Sequence, residues 1–416
     1  MNTTFRRPAA ALLEQRLGEA PPKRLQILAG PRQVGKTTLV TQVMEARPLS
    51  SWRFLRADDP LQRATLAAED DATWLSRQWI EAEVLALRWQ QSGHPQAALL
   101  PFVLVIDEVQ GLKDWSATIK GLWDGALARG ASLHVVLLGS APLLVQKGLN
   151  EALTGRYELI RVPHWSFAEM NEAFGFSFEQ FAYFGGYPGS APFIADEARW
   201  RAYVLDALVE PSIEKDVVAM ARVDKPAMLR RLFELGCAYS AQILALSKVS
   251  ATLGQGHELT LAHHLSLLGQ AGLLTGLSKY AHQVVRQRGS PPKFQVLNNA
   301  LLSVRSAHDF AAAQADRSHW GRLIESMVGV HLLNSAEAGT RIHYWRESPH
   351  EVDFVIEHHG RLAAIEVKSQ VGHVAGTHRG LAEFAKRHLD ARCHLVGSDE
   401  LPVAEFLMRP AAEWTR

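Results

Sequence analysis

The chain has 416 residues, more than one ordinary hydrophobic core organises, so two or three domains are expected. Hydrophobic residues make up 47% and charged residues 21%, and the formal net charge of +1 excludes a globally basic nucleic-acid binder. Two cysteines, Cys237 and Cys393, exclude a disulfide framework and fit a reducing compartment.

No stretch reaches the ~20 apolar residues of a membrane helix, and Met1 to Arg7 leads into no signal-peptide core. The expectation is a cytoplasmic protein without a membrane partner. Leu12 to Gly18 is predicted helical and stops before Pro21 and Pro22. Leu25 to Ala29 is an apolar strand, and Lys36 to Ala46 carries Leu39, Val40, Val43 and Met44 at helical spacing. Trp52 to Ala57 reads as a second strand, with helices after Asp58-Asp59-Pro60 and over Asp71 to Leu87. Phe102 to Ile106 and Leu133 to Leu138 are continuous β-rich runs, as buried parallel strands are. This alternation predicts a doubly wound α/β domain over residues 1–165.

Composition changes after Pro163. Glu197 to Met220 is predicted helical, followed by helices ending near Tyr239, over Leu246 to Thr252 and over Leu259 to Gly269. Tyr280 to Arg288 and Phe294 to Leu297 read as strands around the turn Gly289 to Pro292. Three helices and a hairpin predict a winged helix inside a helical middle domain, residues 166–297. Its wing carries Lys279, Arg286, Arg288 and Lys293, a strip suited to phosphates. The recognition-helix position offers only His263 and His264, which favours docking over base reading. Residues 298–416 alternate again. Helices are predicted over Gly321 to Asn334 and Thr377 to Leu389, with strands Ile342 to Trp345, Val352 to Glu357, Leu362 to Lys368 and Cys393 to Val396. The histidines match no zinc spacing.

The strongest motif is Gly30-Pro31-Arg32-Gln33-Val34-Gly35-Lys36-Thr37, which fits G-x-x-x-x-G-K-[ST] between a strand and a helix. Backbone N–H groups of such a loop wrap phosphates, and the helix behind it points its positive end at them. Lys36 is expected to reach the β- and γ-phosphates, with Thr37 on Mg²⁺ and Thr38 completing the ATP-binding set. The run Phe102 to Ile106 delivers Asp107 and Glu108 to the strand edge where ligands sit. Asp107 is assigned to Mg²⁺ and Glu108 to general-base catalysis. Ser140 reads equally as a γ-phosphate sensor or as a turn residue after Gly139. Arg156 reads equally as an arginine finger for a neighbouring copy or as a surface arginine.

Four runs, Gly30 to Leu39, Ile106 to Gln110, Leu137 to Ser140 and Gly155 to Tyr157, resemble a widespread family of prokaryotic AAA+-type ATPases. Its members carry a fused C-terminal domain of unknown function. Phe184 to Pro188 and Glu214 to Val217 also match, and the resemblance runs from Pro22 to Arg409. Ser140 departs from the Asn common at the sensor position of better-known AAA+ proteins.

A second constellation lies in Glu351 to Ile356 and Ala364 to Lys368. Strand periodicity puts Glu366 and Lys368 on one face, with Asp353 on the neighbouring strand. Two carboxylates and a lysine can hold Mg²⁺ and activate water for phosphodiester cleavage, while a salt-bridged hairpin is the plain alternative. The D…E-x-K pattern resembles the PD-(D/E)XK nuclease core, with Val352 in place of its proline. That resemblance implies Glu325, on the preceding helix, as a further metal ligand, and a C-terminal α/β restriction-endonuclease-like domain. Three functions stay open: a nucleotide-dependent switch or remodeller acting on DNA or a protein partner, an ATP-gated Mg²⁺-dependent nuclease, and a nucleotide-binding interaction protein with little turnover. A homo-oligomer is left open too.

Overall fold

The apolar runs Leu25–Ala29 (β1), Phe102–Asp107 (β3) and Leu133–Gly139 (β4) are buried along nearly their whole length. Strands with no polar side need cover on both faces, as in a parallel sheet. This computed structural model describes residues 5–63, 69–139, 152–218, 223, 225–254, 257–281, 289–368 and 379–416. One compact unit ends at Val162, and a second runs from Pro163 to Arg416.

In the first unit Trp52–Arg56 (β2) and Tyr157–Arg161 (β5) complete a five-stranded sheet of order β2-β3-β4-β1-β5. Every neighbouring pair is parallel. Alternation along β1 sends Leu25 and Ile27 to one face and Leu28 to the other. Pro8–Leu17 (α1) and Lys36–Glu45 (α2) bring Leu13, Leu39, Val40 and Val43 onto Val103, Val105 and Val136. On the opposite face, Asp71–Gln90 (α3) and Trp115–Ala128 (α4) bring Trp74, Trp79, Trp89 and Trp123 onto Leu104 and Ile106. Each such side chain contributes roughly 1.5–3 kcal/mol on burial, so both layers clamp the central strands. Their C-terminal ends then share one firmly held edge, where α/β sheets bind ligands. Helix α1 starts at Pro8 rather than Leu12, because proline is accommodated in a first turn.

The second unit opens with Phe167–Phe174 (α5) and Phe178–Phe184 (α6), each begun by a capping box, Ser166 with Glu169 and Ser177 with Gln180. The helix expected over Glu197 to Met220 is an α-helix only to Ala202 and continues in wider π-helical turns, Tyr203–Val209 and Ser212–Val218. Next come Pro226–Ala238 (α7), Gln242–Ile243 (β6), Leu246–Leu253 (α8), Glu258–Gln270 (α9), Leu274–Leu277 (β7) and Lys293–Val296 (β8). The three strands form an antiparallel sheet, β6-β8-β7.

Strand β8 pairs with Leu274–Leu277, which the sequence pattern does not mark as a strand. Gly272, at φ 78°, follows the end of α9 and frees Leu274 to start a strand. Residues 282–288, which include Arg286 and Arg288, lie outside the described residues.

Helix Arg317–Asn334 (α10) leads to a sheet of Thr340–Glu347 (β9), His350–His358 (β10), Arg361–Val367 (β11) and Arg392–Val396 (β12). Its order is β12-β11-β10-β9, with β9, β10 and β11 antiparallel and β12 parallel to β11. Arg379–Arg387 (α11) precedes β12. At Gly329 of α10 a Cβ would stand 2.2 Å from Gln295 Oε1 on β8 and 2.9 Å from the Phe354 ring on β10. Glycine thus lets the helix touch both strands. A bulge interrupts β10 against β9 between Val352 and Val355, the stretch that holds Asp353 and Phe354. Among the described residues no helix is long and apolar enough to cross a membrane.

Candidate nucleotide site

Strand β1 ends at Ala29 and the glycine loop begins on the sheet's C-terminal edge. Gly30 is pressed against β5's exit: a Cβ there would lie 2.0 Å from the Val162 carbonyl oxygen. The loop then turns through left-handed backbone at Gln33 (φ 58°) and Gly35 (φ 84°). Buried Arg7 donates from Nη1 to the Val34 carbonyl at 3.1 Å, pinning the loop from ahead of α1. Sequence reasoning gave Arg7 no role, since nothing local marks a contact made 27 residues away.

Gly35 caps α2 without a side-chain acceptor, so the helix presents first-turn N–H groups toward the loop. Lys36 is buried, and its Nζ donates to the carbonyls of Gly30 at 2.9 Å and Pro31 at 2.7 Å. Thr37 Oγ1 donates to Asp107 Oδ2 at 2.8 Å, joining the loop after β1 to the end of β3 across the intervening β4. Burial raises the Asp107 carboxyl above its ordinary range, while the Thr37 hydroxyl and the Glu108 amide work to keep it ionised. Glu108 donates its N–H to Asp107 Oδ1 at 2.9 Å and sits at φ 52°, a left-handed conformation that strains a non-glycine residue. Gln110, a further residue the sequence reading left without a role, donates its side-chain amide to Glu108 Oε2. Thr38 is exposed in the first turn of α2, and Arg32 and Pro31 are half-buried in the loop. Ser140 lies outside the described residues.

Arg156 is not in this cluster. Its carbonyl accepts from Leu25 N–H, at the start of β1. Five residues of strand at roughly 3.3 Å each put it about 16 Å from the loop, on the sheet's opposite edge. Its guanidinium forks onto Asp124 of α4, Nε to Oδ1 at 2.7 Å and Nη2 to Oδ2 at 2.8 Å. Asp124 carried no sequence motif.

The C-terminal acids also meet, but around a lysine. Lys293 of β8 has a side chain only 1% exposed, and its Nζ donates to Glu325 Oε1 at 2.6 Å and to the Asp353 carbonyl at 3.0 Å. The ammonium lies 3.8 Å from Asp353 Oδ1 and 4.6 Å above the Phe354 ring. Asp353 Oδ2 accepts from Val367 N–H at 2.8 Å, and Glu366 Oε1 accepts from Lys368 Nζ at 2.9 Å. Burial works against the Lys293 charge, but Glu325 and Asp353 outweigh it and hold the ammonium above its ordinary range. Burial, and then the nearby Asp353, raise Glu366.

One expectation is corrected here. Lys293 is no phosphate-contacting wing residue, because it points inward from a buried strand. Lys279 is tied to Glu347 at 3.1 Å. Glu325, Asp353 and Glu366 each accept from a protein donor, Lys293, the Val367 amide and Lys368 respectively. Among the described residues no three His, Cys, Asp or Glu side chains are grouped to hold a metal ion.

Comparison with known proteins finds three matched stretches along the chain. Residues 22–171 match an AAA domain family. Residues 175–309 and 320–405 match two families described as domains of unknown function. The protein therefore carries an AAA+-type P-loop ATPase domain, fused to further domains whose family descriptions name no activity. It is 27% identical over 368 residues to uncharacterized proteins of Mycobacterium tuberculosis and Mycobacterium bovis, covering 87% of this chain and 74% of each relative. The Walker-type ATPase of Pyrococcus abyssi aligns with a TM-score of 0.47 at 16% identity, covering 72% of this chain and 95% of that one. AMPPCP-bound DnaA from Aquifex aeolicus gives 0.30 at 10% identity, covering 63% and 86%.

Proposed function

We propose that the chain hydrolyses ATP at Lys36, Thr37, Asp107 and Glu108, and that this turnover drives a switch or remodelling step on DNA or a protein partner. The observation that carries the site is the 2.8 Å bond from Thr37 to Asp107, which brings the phosphate loop and the acidic strand end to one point. Hydroxyl and carboxylate oxygens are the donors Mg²⁺ takes, so Thr37 would hold the ion directly and Asp107 through water. Mg²⁺ supplies charge neutralisation to the phosphates. Lys36 exchanges its two loop carbonyls for β- and γ-phosphate oxygens. Glu108 takes the proton of the attacking water as the water oxygen bonds to the γ-phosphorus and the β–γ bridging bond breaks, leaving ADP and phosphate.

Arg156, on the far edge of its own sheet, serves only the nucleotide of a neighbouring copy in this reading, and Asp124 holds its fork until then. The test is phosphate release by Lys36→Ala chains, by Arg156→Ala chains and by their mixture, with and without duplex DNA. Each variant alone is expected to be inactive. The mixture regains activity, because one interface then combines an intact Lys36 with an intact Arg156. Full activity of Arg156→Ala alone would remove the shared site, and turnover indifferent to DNA would shift the partner to a protein.

Two readings of the second unit keep specific support. The order α7-β6-α8-α9-β7-β8 with its three-stranded sheet supports a winged helix, and its inward-facing Lys293 favours docking over phosphate contact. The order α10, three antiparallel strands, α11 and a parallel β12 supports a nuclease-like core, in which Asp353 and Glu366 each adjoin the paired Phe354 and Ile365 of β10 and β11.

A further inference from the structure

We propose that Lys293 is the resident cation of the C-terminal acidic cluster, so that Glu325, Asp353 and Glu366 take no divalent metal while its ammonium is in place. This rests on the nuclease-like reading of that domain, which is what makes a metal expected there. An ammonium has three donors. Here one is on Glu325 Oε1 at 2.6 Å, one on the Asp353 carbonyl at 3.0 Å, and Asp353 Oδ1 stands 3.8 Å from the same nitrogen. Mg²⁺ demands near-octahedral oxygens at about 2.1 Å and would have to share Glu325 with a positive charge already bonded to it. Two further carboxylate oxygens accept from protein donors, Asp353 Oδ2 from the Val367 amide and Glu366 Oε1 from Lys368.

The lysine lies in the stretch matched by one family, residues 175–309, and the acids in the stretch matched by the other, residues 320–405. The lysine sits on β8, and α10 reaches β8 because Gly329 leaves room for Gln295, on the same face as Lys293. Gln295 Nε2 donates to the Ser326 carbonyl at 2.9 Å, beside Glu325, which holds the strand in register on the helix. A side chain 1% exposed cannot swing to solvent without parting β8 from α10, so the cation is built in rather than passing. The acids then work as a lock between the β6-β8-β7 sheet and the last sheet.

The experiment is Mn²⁺ titration of the nucleotide-free full chain, followed by calorimetry, together with melting curves. Wild type and Asp353→Asn are expected to give the same isotherm. One additional site in wild type that Asp353→Asn removes would overturn the proposal. Lys293→Met leaves buried carboxylates uncompensated and is expected to lower the melting temperature of the second unit by about 10 °C. Lys293→Met/Glu325→Gln removes both charges and recovers most of that loss, whereas losses that simply add would overturn the ion lock. A Mn²⁺ site gained in Lys293→Met and lost again in Lys293→Met/Asp353→Asn would confirm a displaced metal position. If the melting curves show the coupling but no site is gained, the nuclease-like reading falls and the lysine lock stands.

Discussion

Glu108→Gln is expected to lower phosphate release from ATP about 100- to 1000-fold while leaving nucleotide affinity within a few-fold of wild type. Glutamine keeps the shape and can still accept from Gln110, but it cannot take a proton from water. The backbone of Glu108 is left-handed at φ 52°, and its own N–H donates to Asp107. Such strain gathers where a side chain must be aimed. The check is a single-turnover assay beside equilibrium binding of a fluorescent ATP analogue. Unchanged hydrolysis would remove Glu108 as the base and point to a water positioned by another group.

Gly30→Ala acts through space rather than conformation. Its Cβ would meet the Val162 carbonyl oxygen at 2.0 Å and the carbonyl carbon at 2.9 Å, both backbone atoms that no rotamer can move aside. Either β5 shifts from β1 or the loop lifts off the sheet. An overpacked site of this kind costs about 3 kcal/mol, a fall of about 10 °C in the melting temperature of the first unit, with nucleotide binding lost. Gly35→Ala is the contrasting case. Nothing lies within 4 Å of a Cβ there, so only the φ of 84° is penalised, by about 1–2 kcal/mol. Thermal melting and analogue binding of the two variants distinguish these causes. Equal, small effects would mean that the approach to Val162 is not part of the loop's support.

The nucleotide end of the molecule was the part most open to reading, because its signals are local. Central parallel strands are unbroken apolar runs, and Leu25–Ala29 was recognisable from its residues alone. The glycine loop and the Asp107-Glu108 pair are contiguous motifs, so their types and spacing lie in plain view. What escaped depends on distant partners. Arg7 meets Val34, Asp124 holds Arg156, and Lys293 is swallowed by acids from α10 and β10. A lysine in a predicted wing has no local feature to distinguish phosphate contact from burial. β7 was hidden for a different reason: Leu273 and Leu274 extend the apolar run of α9, and only Gly272 marks the change of direction. The helix after Glu197 was located but not its geometry, since π-helical turns carry no periodicity that separates them from an α-helix over so few residues.

The proposed ATP-hydrolysing site stands or falls with Lys36 and its loop. Phosphate release from ATP and Mg²⁺, measured for the full chain and for Lys36→Ala, tests it most directly. Steady turnover is expected in the wild type, with at least a ~100-fold loss in the variant. Equal release from both proteins, or a wild type that neither turns over nor binds ATP, would contradict it.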